Sequence, residues 1–145
     1  MELRGSIFKE YTNYNAICIT TNGIIKNNGR AVMGAGVAKA CRDTVKDSDL
    51  NLAKLLKKNG NCVQIFDELN NVKIIAFPTK NNWRDNSDIE LIKKSCEQLV
   101  ELMNLNGIDS ILLPRPGCTN GNLSWNYVKS IIKPILDNRV TFISR

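Results

Sequence analysis

The chain has no histidine. That removes the Ser-His-Asp and Cys-His nucleophilic arrangements outright. It also argues against zinc sites of the usual kinds, since Cys18, Cys41, Cys62, Cys96 and Cys118 are scattered with no Cys-x-x-Cys pair. An odd number of cysteines without a secretion signal points to reduced thiols rather than a disulfide framework. No basic run with interleaved aromatics marks a nucleic-acid-binding stripe. No apolar run approaches the ~20 residues needed to span a bilayer; the longest candidate, Ile108–Pro114, has the length of a strand. The start, Met1-Glu2-Leu3-Arg4-Gly5, is charged where a signal peptide would be apolar. A cytoplasmic location, with no membrane, metal or bound cofactor, is the expectation. Any catalysis must use Lys, Asp, Glu, Ser, Thr, Cys, Tyr or backbone groups.

What is present is ordinary in bulk: 145 residues, 43% hydrophobic and 23% charged, with a net charge of +6 that favours polyanionic partners. No repeat, low-complexity block or linker divides the chain, so residues 1–145 are expected to form one domain, a monomer. Strand-like apolar runs occur at Ala16–Thr20, Asn61–Phe66, Val72–Phe77, Ser110–Leu113 and Val140–Ile143, with a further short strand expected around Ser6–Tyr11. Ile89, Ile92, Cys96, Leu99, Val100 and Met103 recur at helical spacing and predict a helix over Ile89–Leu105. Ser87 with Glu90 three residues on reads as its capping box, and Asn106-Gly107 as its end. Further helices are predicted from Val37 to before Asp43, over Leu50–Lys58, and from Trp125 to Asp137 with an interruption at Pro134. Strands alternating with helices predict an α/β fold of three layers, α/β/α, and a hairpin joined by Asp67–Asn71 makes the central sheet mixed.

Three segments at predicted strand ends stand out. Met33-Gly34-Ala35-Gly36-Val37-Ala38 opens a helix, where glycines let backbone N–H groups approach a phosphate. It lacks the third glycine of the dinucleotide fingerprint and does not match the P-loop, and a tight strand-to-helix turn would need the same glycines. Pro114-Arg115-Pro116-Gly117-Cys118-Thr119-Asn120-Gly121-Asn122-Leu123-Ser124-Trp125 leaves a buried strand and leads into another helix, where ligands sit in open α/β sheets, or it is an ordinary rigid turn. Phe77-Pro78-Thr79-Lys80-Asn81-Asn82-Trp83-Arg84 ends a third strand and places Lys80 beyond the same sheet edge; Trp83 reads equally as a lid packed over the next helix.

In this order the three segments resemble the macrodomain family, in the branch of the terminal ADP-ribose protein glycohydrolase and the DNA-ADP-ribose glycohydrolase antitoxin DarG. The resemblance runs from about Gly5 to Ile143. It implies a three-layer α/β/α macrodomain that holds ADP-ribose across the C-terminal strand ends. By the resemblance, Gly34, Ala35, Gly36 and Val37 contact the diphosphate and distal ribose, and Pro116, Gly117, Cys118, Thr119, Asn120 and Gly121 form the opposing loop. Thr21 and Asn22 lie near the distal ribose, and Ser6 and Ile7 near adenine. Lys80 matches the catalytic lysine, a nucleophile toward the anomeric carbon of the distal ribose, which must be neutral to attack; Arg84 and Arg115 are candidate positive neighbours.

Two departures qualify the resemblance. Ser6 stands where relatives carry an aspartate for the adenine amino group; a hydroxyl can accept the same bond without charge assistance. Gly121 stands where the protein-directed glycohydrolase has its acid-base aspartate, a loss that typically costs ~10²–10⁴-fold in rate. The chain then works with help from the substrate, recruits another carboxylate such as Asp85 or Asp88, or binds ADP-ribose without cleaving it. The leading expectation is a glycohydrolase acting on an ADP-ribosylated macromolecule, DNA bases ahead of protein glutamates. A non-catalytic ADP-ribose reader, or a phosphatase of the phosphorylated distal ribose of ADP-ribose, are the alternatives.

Overall fold

The computed structural model covers Met1–Arg145. Six strands, β1 (Glu2–Arg4), β2 (Ala16–Thr21), β3 (Gln64–Leu69), β4 (Val72–Pro78), β5 (Ile111–Pro114) and β6 (Val140–Ser144), form one sheet in the order β1-β6-β5-β2-β4-β3. All neighbours pair in parallel except β3 and β4, so the sheet is mixed as expected. The central strands are apolar at nearly every position because both faces are covered. Ile17, Ile19, Ile74 and Ala76 pack toward α2 (Gly36–Thr44) and α3 (Ser48–Asn59), while Ala16, Cys18, Ile75 and Phe77 pack toward α4 (Ile89–Asn106) and α5 (Trp125–Ile132). The result is three layers, α/β/α.

All but one of the predicted elements are present, with shifts that have local causes. The strand expected over Ser6–Tyr11 is instead α1 (Ile7–Glu10) followed by a 3-10 turn, with Phe8 and Tyr11 ring centroids 6.1 Å apart. Ile7, Phe8 and Tyr11 fit a helical spacing, and strand pairing stops where the Gly5 N–H meets the Ser144 carbonyl. The strand expected from Asn61 begins at Gln64 and runs to Leu69. The hairpin turn narrows to Asn70-Asn71, whose φ angles of 50° and 67° suit a two-residue turn matched to strand twist. The first GAG-following helix extends through Asp43, which pairs with Lys39 one turn earlier at 2.9 Å.

Capping of α4 differs in a way that matters below. Asp88, not Ser87, is its N-cap, its Oδ1 accepting the N–H groups of Glu90 at 3.0 Å and Leu91 at 3.4 Å. Gly107 ends the helix at φ 62°, as the Asn-Gly pair predicts. Pro134 lies just beyond the end of α5 at Ile132, so the helix stops rather than bends. No helix is long and apolar enough to cross a membrane.

The short edge strand β1, paired in parallel with β6, is also tied to its surroundings by one side chain. Glu2 accepts from Trp125 Nε1 at 3.0 Å and Arg115 Nη2 at 3.2 Å, and from Lys129 Nζ. These donors, Lys129 first, hold its carboxyl below the usual range. A depressed carboxyl contributes stability above its unfolded pKa and loses it as pH falls through the folded value. The Tm difference between the wild type and Glu2→Gln should therefore be present at pH 6 and shrink toward zero as acid titrates Glu2. A difference independent of pH would show that the carboxylate charge has no part in docking β1.

Candidate functional site

Because β2, β4 and β5 are parallel neighbours, their C-terminal ends deliver three loops to one sheet edge. The first loop runs from Asn22 to Ala35. The Asn22 side chain folds it, donating from Nδ2 to the Val32 carbonyl at 3.3 Å and accepting the Ile24 N–H at 3.0 Å. Arg30 ties it to α3 through Asp49 at 2.8 Å and Asp47 at 3.1 Å. Met33 before the glycines and Ala38 and Cys41 after them are buried, leaving Gly34, Ala35 and Gly36 exposed between two anchors. None of the N–H groups of Gly34 to Val37 has an acceptor within the protein, and Ala35 caps α2 without a side chain. That is an array of free backbone donors at the positive end of a nine-residue helix.

The second loop follows β5. Pro116, Gly117 and Gly121 are buried, Cys118 is half-buried, and Thr119 and Asn120 are exposed. Gly117, at φ +76°, must be glycine: a Cβ there would lie 2.9 Å from Ile92 Cδ1 and Ser87 Cβ. Cys118 rests its Sγ on the Pro116 carbonyl at 3.3 Å, and burial pushes its thiol up, which disfavours the thiolate. The first and second loops touch: a Cβ on Gly36, at φ +56°, would come within 2.7 Å of Asn120 Nδ2.

Lys80 stands in the third loop. Its Nζ donates to the Asn120 carbonyl at 3.0 Å and approaches the Trp83 carbonyl at 3.5 Å. Neither arginine foreseen as its neighbour is available: Arg84 stacks over Trp83, and Arg115 is paired with Glu2. The loop is fixed from beneath by Asn61, whose Nδ2 reaches the Lys80 carbonyl and Asn81 Oδ1, both at 3.0 Å. Sequence reading placed Asn61 in a strand and missed this role; its position just after the Asn59-Gly60 helix stop was the only available signal. Thr21 and Thr79 are buried where β2 and β4 end, the Thr79 N–H bonding to the Thr21 carbonyl at 3.1 Å. Ser6 precedes α1 without capping it, and the Ile7 side chain belongs to the core, so neither offers a placed side-chain acceptor for a base beyond the Ser6 hydroxyl.

Ser87 turns inward where a capping role had been expected. Its N–H donates to the Gly121 carbonyl at 3.1 Å, and its buried Oγ has no hydrogen-bond partner. A Cβ on Gly121 would fall 1.9 Å from that Oγ and 2.6 Å from the Gly117 carbonyl. The space that an acid-base side chain at position 121 would need is filled. Asp88 does not replace it, being committed to the α4 cap, and Asp85 lies exposed at a turn. The three buried side-chain oxygens without a partner, on Thr21, Asn61 and Ser87, all belong to this group of loops. Such atoms are uncommon in native proteins and cluster where structure serves function. No three His, Cys, Asp or Glu side chains gather into a metal-binding group.

The Macro domain model matches residues 25–132, and the chain belongs to the macrodomain family. It is 38% identical over 64 residues to a DNA ADP-ribosyl glycohydrolase of Thermus aquaticus, covering 44% of this chain and 18% of that protein. It is 34% identical over 67 residues to a DNA ADP-ribosyl transferase–DNA ADP-ribosyl glycohydrolase fusion protein of Thermosipho africanus, covering 46% of this chain and 16% of that protein. The matched segments thus span under a fifth of either relative's length. Among solved structures, the macrodomain of Thermus aquaticus DarG superimposes with a TM-score of 0.82 at 26% identity, over 99% of this chain and 96% of the other.

The packing at Gly121 makes a direct prediction. Gly121→Ala should lower stability by about 2–4 kcal/mol, at or above the range for overpacking, because one of the colliding atoms is backbone. Adding Ser87→Gly should restore only part, since the Gly117 carbonyl stays in place. Denaturant melts of the two single variants and the double variant measure the coupling. A stable Gly121→Ala protein would show that the loop does not pack this way.

Proposed function

We propose that this macrodomain, formed by the whole chain, binds ADP-ribose and hydrolyses it from an ADP-ribosylated macromolecule, with a DNA base preferred over a protein glutamate. The observation that carries this reading is the Lys80 amine seated on the Asn120 carbonyl, where the GAG loop and the second loop touch. The free N–H groups of Gly34–Val37 suit the diphosphate, and Gly117 to Gly121 close over it from the other side. Thr21 and Asn22 stand by the distal ribose, and Ser6 and Ile7 by adenine.

A neutral amine has two N–H bonds and one lone pair. The Lys80 ammonium must first give one proton to water; its two remaining hydrogens can then be directed to the carbonyls of Asn120 and Trp83, which leaves the lone pair for the anomeric carbon. Attack forms the Nζ–carbon bond as the bond to the leaving group breaks. The leaving group takes the electron pair and then the proton lost from Nζ. Water afterwards releases the sugar from the lysine. This route uses no carboxylate at position 121, and the name of one relative, DNA ADP-ribosyl glycohydrolase, supports DNA as the substrate. The +6 charge supports a nucleic-acid substrate.

A second reading, an ADP-ribose reader without turnover, is favoured by two observations: Ser87 fills the place of an acid-base group, and Asp88 is occupied elsewhere.

Release of ADP-ribose from ADP-ribosylated single-stranded DNA and, separately, from glutamate-ADP-ribosylated protein separates these readings. Lys80→Ala should lose roughly 100-fold or more of the DNA-directed rate while still binding ADP-ribose. Full activity in that variant removes the lysine mechanism. Binding with no release from either substrate selects the reader.

A further inference from the structure

Trp83, which the sequence also allows as a lid packed over the next helix, does not pack that way. It belongs to neither hydrophobic cluster, whereas Trp125 joins one of them and meets Phe142 with ring centroids 4.8 Å apart. Trp83 is 49% exposed, and of the large exposed apolar residues (Met1, Trp83, Leu105 and Tyr127) it alone lies in a loop at the C-terminal edge of the sheet. Its indole carries the Arg84 guanidinium at 5.0 Å from the ring centroid.

The exposure is not slackness. The Arg84 N–H donates to Asn82 Oδ1 at 3.0 Å, and the Asp85 N–H to the Asn82 carbonyl at 3.1 Å, so Trp83 and Arg84 form the tip of a closed turn. Asn86 Oδ1 accepts from Asn122 Nδ2 at 2.8 Å and ties that turn to the second loop. The Trp83 carbonyl in turn faces the Lys80 amine. A large aromatic surface in water that serves no core contact, carried on a hydrogen-bonded turn beside Lys80, suits recognition rather than packing.

We propose that Trp83 and Arg84 form a platform for single-stranded DNA, the indole stacking on a nucleobase beside the modified nucleotide and the guanidinium meeting a phosphate. This rests on the reading of the site as a DNA-directed glycohydrolase. An aromatic face paired with a cation matches the alternation of base and phosphate along a strand, and stacking tolerates any base. The net charge of +6 draws the strand in, and the turn needs no ordering on contact.

The test measures binding of a fluorescent, unmodified ten-nucleotide oligothymidylate and of free ADP-ribose to the full chain and to W83A, W83F and R84Q. Replacing the side chain of Trp83 leaves its carbonyl beside Lys80. W83A should weaken oligonucleotide binding about ten-fold, with W83F restoring most of it and ADP-ribose binding unchanged. R84Q should reduce the slope of log affinity against log salt by about one. On ADP-ribosylated oligonucleotide, W83A should raise KM, and on an ADP-ribosylated mononucleoside it should not. Equal oligonucleotide affinity in W83A and wild type overturns the platform, as does a parallel loss of ADP-ribose binding or a KM increase confined to ADP-ribosylated protein. Oligonucleotide binding needs no turnover. An inactive protein that binds DNA through Trp83 therefore keeps the platform and loses the glycohydrolase reading, and an active one indifferent to Trp83 does the reverse.

Discussion

Residue 121 has no side chain, and the arrangement of the three loops depends on that. With hydrogen alone at its Cα, Gly121 lies against Ser87 and accepts its N–H, bringing the start of α4 and the loop after β5 into backbone contact. The neighbouring Asn120 then presents its carbonyl to Lys80 and its side chain to Gly36. One close approach thus sets the distance between the candidate nucleophile and the loop of free N–H groups. Gly36 and Gly117 extend the same logic, each at a positive φ and each with another group where a Cβ would stand.

The sheet makes that contact reproducible. β2, β4 and β5 are buried on both faces, so the ends from which the loops spring are as fixed as the core. Each loop is then pinned again within a few residues: Met33 in the core, Thr79 bonded to Thr21, Pro116 and Gly117 buried against α4. Asp88 starts α4 immediately after Ser87, so the cap and the loop contact are consecutive residues with separate tasks.

Layer order, strand positions and the three loops were legible because they follow from apolar runs, helical spacing and glycine clusters, which are local. The resemblance added the pairing of the loops and the identity of Lys80. What sequence could not show was direction. Ser87 fits a capping box by spacing, and only the tertiary contact with Gly121 decides that Asp88 caps instead. The segment Ser6–Tyr11 reads as a short strand, yet Ile7, Phe8 and Tyr11 sit at helical spacing and close a short helix because the ladder with β6 ends at Gly5. Gly121 read as a lost aspartate, and the structure recasts it as a packing requirement. Trp83 and Trp125 each carry an arginine over the ring, and burial separates Trp125, packed against the core, from the half-exposed Trp83.

Without histidine, and with position 121 closed to a carboxylate, the proposed reaction would rely on fixed dipoles around Lys80: amides at the start of α2 and carbonyls at Trp83 and Asn120. Fixed dipoles act only where they are held, since their advantage over water is that they need not reorganise as charge shifts. Holding them has a cost. A buried oxygen without a partner destabilises a protein by about 1–3 kcal/mol, and the three here, on Thr21, Asn61 and Ser87, all sit among the loops that hold Lys80 and its carbonyls. Two apolar clusters of 17 and 16 buried residues, one on each face of the sheet, offset that cost. The unpartnered oxygens thus lie at the sheet edge where the chemistry is proposed, and the apolar clusters lie on the two faces of the sheet behind it.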